Sequence, residues 1–328
     1  MRLRISPLPA LVLSITLGCG LQAGCGGGGG AAPAPTAAVV GPLYAQAHYT
    51  DSQLARYPEQ RYSTRPNEGG LQYSSDNHKT AEAGSTTLDL RLDVAVPPNA
   101  SAQSPQPLLV WVHGGGFMAG SKEDMLEQAL SYARAGYVVA SIDYRLTPFE
   151  RQQTFAGREA AIKQATEDAM NAVRYLKLNA SRFHIDTTRT AVLGSSAGGA
   201  IALFNAIEFD TLAGAVSDDP AVSSRVDAAI DNAGTYRDAT YDSDRFLRYD
   251  AGDTPVLLLH ANPTDGVTGT TWAGHALPTQ QRIAASGNSC TLVAQPDLSH
   301  SVDLSLGGPY WAHIQPFLLA QLRLPASP

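Results

Sequence analysis

Cysteine is scarce in this 328-residue chain: there are 3, and Cys19 and Cys25 both fall near its start. A disulfide framework is therefore excluded as the source of stability. Basic charge is also in short supply. Lys and Arg number 23 against 30 Asp and Glu, for a net charge of -7, which argues against nucleic acid or an acidic membrane surface as the main partner. The histidines lack the H-E-x-x-H or paired spacing of a zinc site, so no metal is expected. The Gly-rich run Gly114 to Gly116 lacks a following Gly-Lys-Ser/Thr, which excludes a phosphate-cradling loop. No cofactor is expected. Long apolar runs are absent too: Leu8 to Leu17 is too short to span a bilayer.

That short run has a different meaning. Behind the basic start "MRLR" it reads as the apolar region of an export signal over residues 1–25. Residues 26–41, Gly-rich and then Pro/Ala-rich, bury too little apolar surface to order themselves and read as a flexible tether, leaving residues 42–328 as one folded domain. The stretch "LQAGCGGGGG" resembles the end of a bacterial lipoprotein signal, although Leu21 stands four places before Cys25 where that pattern has three. Two outcomes stay open: a lipid anchor to the membrane through Cys25, or cleavage and release. Both place the protein outside the cytoplasm, as a periplasmic, anchored or secreted species.

From Leu88 onward, short β-branched apolar runs alternate with segments of helical period. "LDLRLDVAVP", "PLLVWVHGGG", "GYVVASIDYRL", "TRTAVLGSS", "VDAAIDNAG", "TPVLLLHAN" and "CTLVAQP" are the predicted strands. Between them, "EDMLEQALSYARAG" ends in a glycine suited to a helix C-terminus, and the helix from Phe155 places Ala161, Ala165, Ala169, Ala172, Val173 and Leu176 near one face. Pro278 kinks a later helix or marks its start. This order predicts an α/β domain, a doubly wound, mostly parallel sheet with helices on both faces. Ligands of such sheets bind beyond the carboxyl ends of the strands. Tyr44 to Gly70, polar and without period, reads as a surface wrap or a small lid.

Several of those strand ends carry reactive groups. Gly194-Ser195-Ser196-Ala197-Gly198 follows the strand "TAVL" and opens the helix "AGGAIALFNAI". A bare G-x-S-x-G is weak, and a structural Gly-rich turn is the competing reading. The strand-turn-helix setting favours a nucleophile elbow, in which a tight turn exposes Ser196 Oγ and the helix N-terminus favours developing negative charge. His113-Gly114-Gly115-Gly116 follows another apolar strand, where glycines leave N–H groups free to point at a ligand.

The pair "HGGGF" and "GSSAGG", with "DYRL" between them, resembles the α/β-hydrolase esterases and lipases of the hormone-sensitive-lipase-like and feruloyl-esterase-like groups, over most of Leu88 to His313. The resemblance implies the α/β-hydrolase fold and an oxyanion hole made by the N–H groups of Gly115, Gly116 and Ala197, with His113 shaping the loop. It also implies that Asp143 and Arg145 support that loop by buried pairing. The triad order Ser, acid, His points to Asp265, in the loop after "TPVLLLHANPT", and to His300, in the loop after "CTLVAQPDLS". Asp265 stands one residue further from the strand histidine than in the usual "HG-x-x-D". Asp297 and Asp303 are the alternative acids; His260, His275 and His313 fall in strand or helix segments. Phe117 and Tyr144 flank the site loops and are the candidate pocket aromatics, although an aromatic beside a strand is more often core. "SDDP" and "YDSD" lack calcium-loop spacing and read as solvated turns. The implied activity is hydrolysis of short-chain or aryl carboxylic esters, small-molecule substrates. An amidase or arylformamidase with the same triad is one alternative, and an inactive hydrolase fold acting as a binding protein is another. The presence of Ser196, Asp265 and His300 together argues against the last.

Overall fold

Strand β1 (Ala55–Pro66) opens a series that continues through β2 (Thr87–Val96), β3 (Gln106–Val112), β4 (Val138–Ile142), β5 (Ile185–Ser195), β6 (Ala228–Asn232), β7 (Val256–Ala261) and β8 (Cys290–Gln295). The structure, a computed structural model, describes residues 43–234, 247–295 and 300–325. The expected signal and tether, with Cys25, as well as "YDSD" and Asp297, lie outside the described residues. The strands form one sheet in the order β1-β2-β4-β3-β5-β6-β7-β8. From β4 to β8 every neighbouring pair is parallel, whereas β2 joins β4 and β1 joins β2 antiparallel. The mostly parallel sheet predicted from the alternating runs is present.

Side chains alternate across each strand, so a continuous apolar run serves two cores at once. In β3, Leu108, Val110 and Val112 enter the core that also holds Ala161, Ile162, Ala165 and Val173 of α3 (Phe155–Leu178) and Ile201 and Phe204 of α5 (Ala197–Glu208). Leu109 and Trp111 enter the opposite core, with Ala129 and Tyr132 of α2 (Glu123–Ala133) and Ile314 and Leu318 of α7 (Trp311–Gln321). Each such Leu or Val contributes about 1.5–3 kcal/mol by leaving water. The short helices α1 (Lys79–Glu82) and α4 (Ala180–Phe183) fill connections. Pro278 lies in the first turn of α6 (Leu277–Ala285), after a single π-helical turn at Trp272–Ala276, so it marks a start and not a kink.

The segment Tyr44 to Gly70 departs from expectation. Residues 43–54 do wrap the end of α2, where Tyr44 N–H donates to Ala135 O (2.9 Å) and His48 N–H to Arg134 O (2.7 Å). The remainder is not a lid: its centre is β1, the edge strand. Register shifts between Tyr57 and Gln60 and between Arg61 and Ser63 break its alternation, and most of its side chains face water. A bulged, half-solvated edge strand leaves no period-2 apolar signature.

Candidate active site

β5 ends at Ser195 and α5 begins at Ala197, which leaves Ser196 alone in the turn, at φ 57 and ψ -124. An L-residue in such a conformation stores about 1–3 kcal/mol of strain and persists only where its surroundings hold it. They do so through close backbone approach. A Cβ on Gly194 would lie 2.3 Å from the Gly198 backbone, and one on Gly198 would lie 2.1 Å from Val112 O, so both flanking positions admit only glycine. The Ser196 N–H donates to Asn232 O at 2.8 Å.

The loop after β3 passes directly against this turn: a Cβ on Gly114 would sit 3.2 Å from Ser196 Cβ. Its shape is set from beneath. The His113 ring stacks on Tyr144 at 4.1 Å between centroids, and its Nδ1 bonds Gly114 O at 2.7 Å. The Tyr144 hydroxyl lies 3.0 Å from the carbonyl oxygens of both His113 and Gly114. Burial pushes the His113 imidazole down to about 4, so the ring is neutral and its Nδ1–H donates. Among the described residues the backbone N–H groups of Gly115, Gly116 and Ala197 have no hydrogen-bond partner.

On the far side, the loop after β7 carries Asp265, fully buried, whose Oδ1 accepts the N–H groups of Val267 (2.9 Å) and Thr268 (2.8 Å). Its Oδ2 bonds His300 Nδ1 at 2.8 Å. Burial alone would raise this carboxyl, but the Thr268 and Val267 amides and His300 outweigh it and hold the carboxyl below its ordinary range. Asp265 therefore stays ionised. Asp303 is turned to Ser305 instead, and Asp253 precedes β7 at the other end of the sheet. His260 is buried and bonded through Nε2 to Thr270 Oγ1 (2.9 Å), while His275 lies in the π turn and His313 in α7.

Ser196 and His300 line one cavity of about 630 Å³ together with Gly115, Gly116, Met118 and Val267 among others. A second recess, of about 440 Å³, meets it at Gly115, Ala119, Ser196 and His300. Ser196 and His300 are not hydrogen-bonded to each other, a separation common in unliganded sites, where such bonds tighten only around substrate. The structure thus brings Ser196, His300, Asp265, Gly115, Gly116 and Ala197 into one place.

Phe117 and Tyr144 are not part of the cavity wall: both are fully buried, Phe117 in the core and Tyr144 beneath the glycine loop. An aromatic next to a strand end turns inward because its area is worth more in the core. The lining residues Met118, Arg158, Val267, Thr268 and Thr270 carried no motif and come from loops and the first turn of α3. Asp143 and Arg145 are not paired with each other. Arg145 binds Asp168 (Nη2–Oδ1 2.8 Å) and Glu167 (2.7 Å) on α3, while Asp143 accepts the Lys122 N–H (2.8 Å) and is pushed up to about 8 by burial. Residues 143–145 lie beyond the end of β4, where strand alternation no longer applies, and each buried charged side chain turns to the partner that the fold brings to it, which pairing by sequence proximity overlooks. In "SDDP", Asp218 bonds Arg65 at 2.7 Å.

The chain is similar in sequence and in fold to known esterases. The model of the family described as BD-FAE matches residues 92–270. Esterase LipI of Mycobacterium tuberculosis is 35% identical over 107 residues, 32% of this chain and 30% of that protein. An ethyl acetate hydrolase of Pseudomonas putida is 34% identical over 117 residues, 35% of this chain and 33% of its own. The chain thus spans about a third of the length of these curated relatives. Esterase 2 of Thermogutta terrifontis, solved phosphonylated by cyclosarin, superposes with a TM-score of 0.59 at 20% identity, covering 82% of this chain and 95% of that one. A truncated carbohydrate esterase from gut microbiota gives 0.59 at 16% identity, over 86% and 99%. At these identities the structural likeness establishes the fold, which is that of the α/β-hydrolases.

Proposed function

Since the chain belongs to the BD-FAE family, we propose that it hydrolyses carboxylic esters of short-chain or aryl type through a Ser196–His300–Asp265 triad. The observation that carries this reading is the His300 Nδ1–Asp265 Oδ2 bond of 2.8 Å, facing the same cavity as a serine strained at the mouth of a helix. Ser196 Oγ attacks the ester carbonyl carbon while His300 Nε2 takes its proton; Asp265 holds Nδ1–H and stabilises the imidazolium. The tetrahedral oxyanion accepts hydrogen bonds from the N–H groups of Gly115, Gly116 and Ala197, each such donor being worth roughly 3–4 kcal/mol in a preorganised site. Collapse expels the alcohol, protonated by His300. Water then gives its proton to His300 and attacks the acyl-enzyme, releasing the acid and restoring Ser196. The two recesses meeting at Ser196 suit the two sides of an ester.

The test is turnover of p-nitrophenyl acetate and butyrate beside Ser196→Ala. We expect wild type to turn over and the variant to lose roughly 10⁴-fold or more in kcat, with a fluorophosphonate labelling Ser196 in wild type only. Absence of turnover together with an unlabelled Ser196 would leave the turn without catalytic meaning. We further propose export through residues 1–25, ending either in lipidation of Cys25 or in cleavage and release, on the signal-like start, Gly-rich tether and small residues before Cys25. Intact mass of the membrane-fraction protein from its own host decides between a lipidated Cys25 and a released chain.

A further inference from the structure

Asp265 orients the His300 ring, but it does not position the loop of residues 300–302, whose backbone enters the left-handed region at His300 (φ 57). Two buried side chains tie that loop to the serine turn. Asn232, the fully buried last residue of β6, donates from Nδ2 to Ser301 O at 2.7 Å and to Ser195 Oγ at 3.0 Å. Ser195 Oγ donates onward to Val302 O at 3.1 Å. The Asn232 Oδ1 accepts from Gln295 Nε2 at 2.7 Å, and its backbone oxygen accepts the Ser196 N–H at 2.8 Å.

One residue therefore holds the main chain on both sides of the reacting pair. The amide has a single workable orientation: turned over, it would set Nδ2 against Gln295 Nε2 and Oδ1 against Ser301 O, two like-with-like contacts in a buried site. Because the loop is gripped by carbonyls, the tie acts on the backbone that carries His300 and not on neighbouring side chains. We propose that Asn232, together with Ser195, is a positioning residue that holds the loop carrying His300 against the serine turn, so that Nε2 reaches Ser196 Oγ once substrate is bound. This rests on the hydrolase reading above.

The experiment compares Asn232→Leu, close in volume, and Ser195→Ala with wild type on p-nitrophenyl butyrate, with folded fraction measured by circular dichroism and thermal melting. For Asn232→Leu we expect kcat per folded molecule to fall about 100-fold, the scale of a 1 Å misplacement of a reacting group, with KM changed less than about threefold. Ser195→Ala should lose about tenfold in kcat, again with KM held. The double variant should fall below Asn232→Leu alone, since Ser195 still holds Val302 O when Asn232 is gone, but by less than the product of the two single losses, since Asn232 also bonds Ser195. A residue that only held the fold would lower melting temperature and active fraction but leave kcat per folded molecule intact. Should Asn232→Leu fail to fold, Ser195→Ala decides by itself, and full kcat in that variant overturns the proposal. If wild type turns over, Ser196→Ala does not, and both network variants keep full kcat, only this inference falls; if wild type is inert, the parent reading falls with it.

Discussion

Replacing Asp265 by Asn tests the triad through the direction of one hydrogen bond. Asp265 Oδ1 accepts two backbone N–H groups, from Val267 and Thr268, and Oδ2 faces His300 Nδ1. In Asp265→Asn the amide oxygen is claimed by the two N–H groups, which leaves the NH2 pointing at His300. Nδ1 must then accept, the ring proton moves to Nε2, and His300 can no longer take a proton from Ser196. Turning the amide over would restore the tautomer but leave two part-buried N–H groups facing an NH2, at about 1–3 kcal/mol each. The productive state is therefore depopulated by roughly 30-fold to 10⁴-fold. The upper end matches the loss of about 10⁴ that follows when a serine hydrolase histidine is held in the wrong tautomer. The assay is kcat on p-nitrophenyl butyrate, paired with ¹⁵N NMR of the imidazole to read the tautomer. A variant within tenfold of wild type, or one whose NMR shows Nδ1 still protonated, would refute the reasoning.

Two further outcomes follow from packing and charge. In Gly198→Ala the new Cβ would lie 2.1 Å from Val112 O and 2.7 Å from His113 O, so the glycine loop must move off the serine turn; we expect at least about a 100-fold loss in kcat, and wild-type turnover would show the two segments not to be in contact. Asp231 is fully buried, with the Gly234 N–H as its one donor among the described residues, and burial pushes its carboxyl up to about 7. A carboxyl raised in the folded state holds its proton more tightly than in the unfolded chain, so wild-type stability falls as pH rises from about 4 to 7 and levels off above that. Asp231→Asn, by urea unfolding, should exceed wild type by up to about 4 kcal/mol at pH 8 and come within about 1 kcal/mol at pH 4. A difference independent of pH would sink that account.

Most of the sheet was legible because its strands are buried on both faces: "LLVWV" and "VLLL" need no partner's identity to declare themselves. β1 was not, since an edge strand with two register shifts and one wet face carries no such pattern. The elbow was legible for a comparable reason. A serine held at φ 57 between two crossing backbones requires glycine at Gly194 and Gly198, and that requirement is written in consecutive residues. The pocket aromatics illustrate the opposite case. Phe117 and Tyr144 stand next to the site in sequence, yet apolar burial draws both beneath it.

The sequence by itself determined the alternating α/β order, the strained serine turn and the glycine loop, because each depends on backbone conformation within a few residues. It also narrowed the candidates for acid and base to Asp265 and His300 by their place after strands. Tertiary structure alone decided which groups meet across long separations: Arg145 with Asp168 and Glu167 instead of Asp143, Met118 and Val267 at the cavity, and Asn232 between the serine and histidine loops. Those contacts depend on strand order and on where buried polar groups find partners, and neither is set by residues adjacent in the chain.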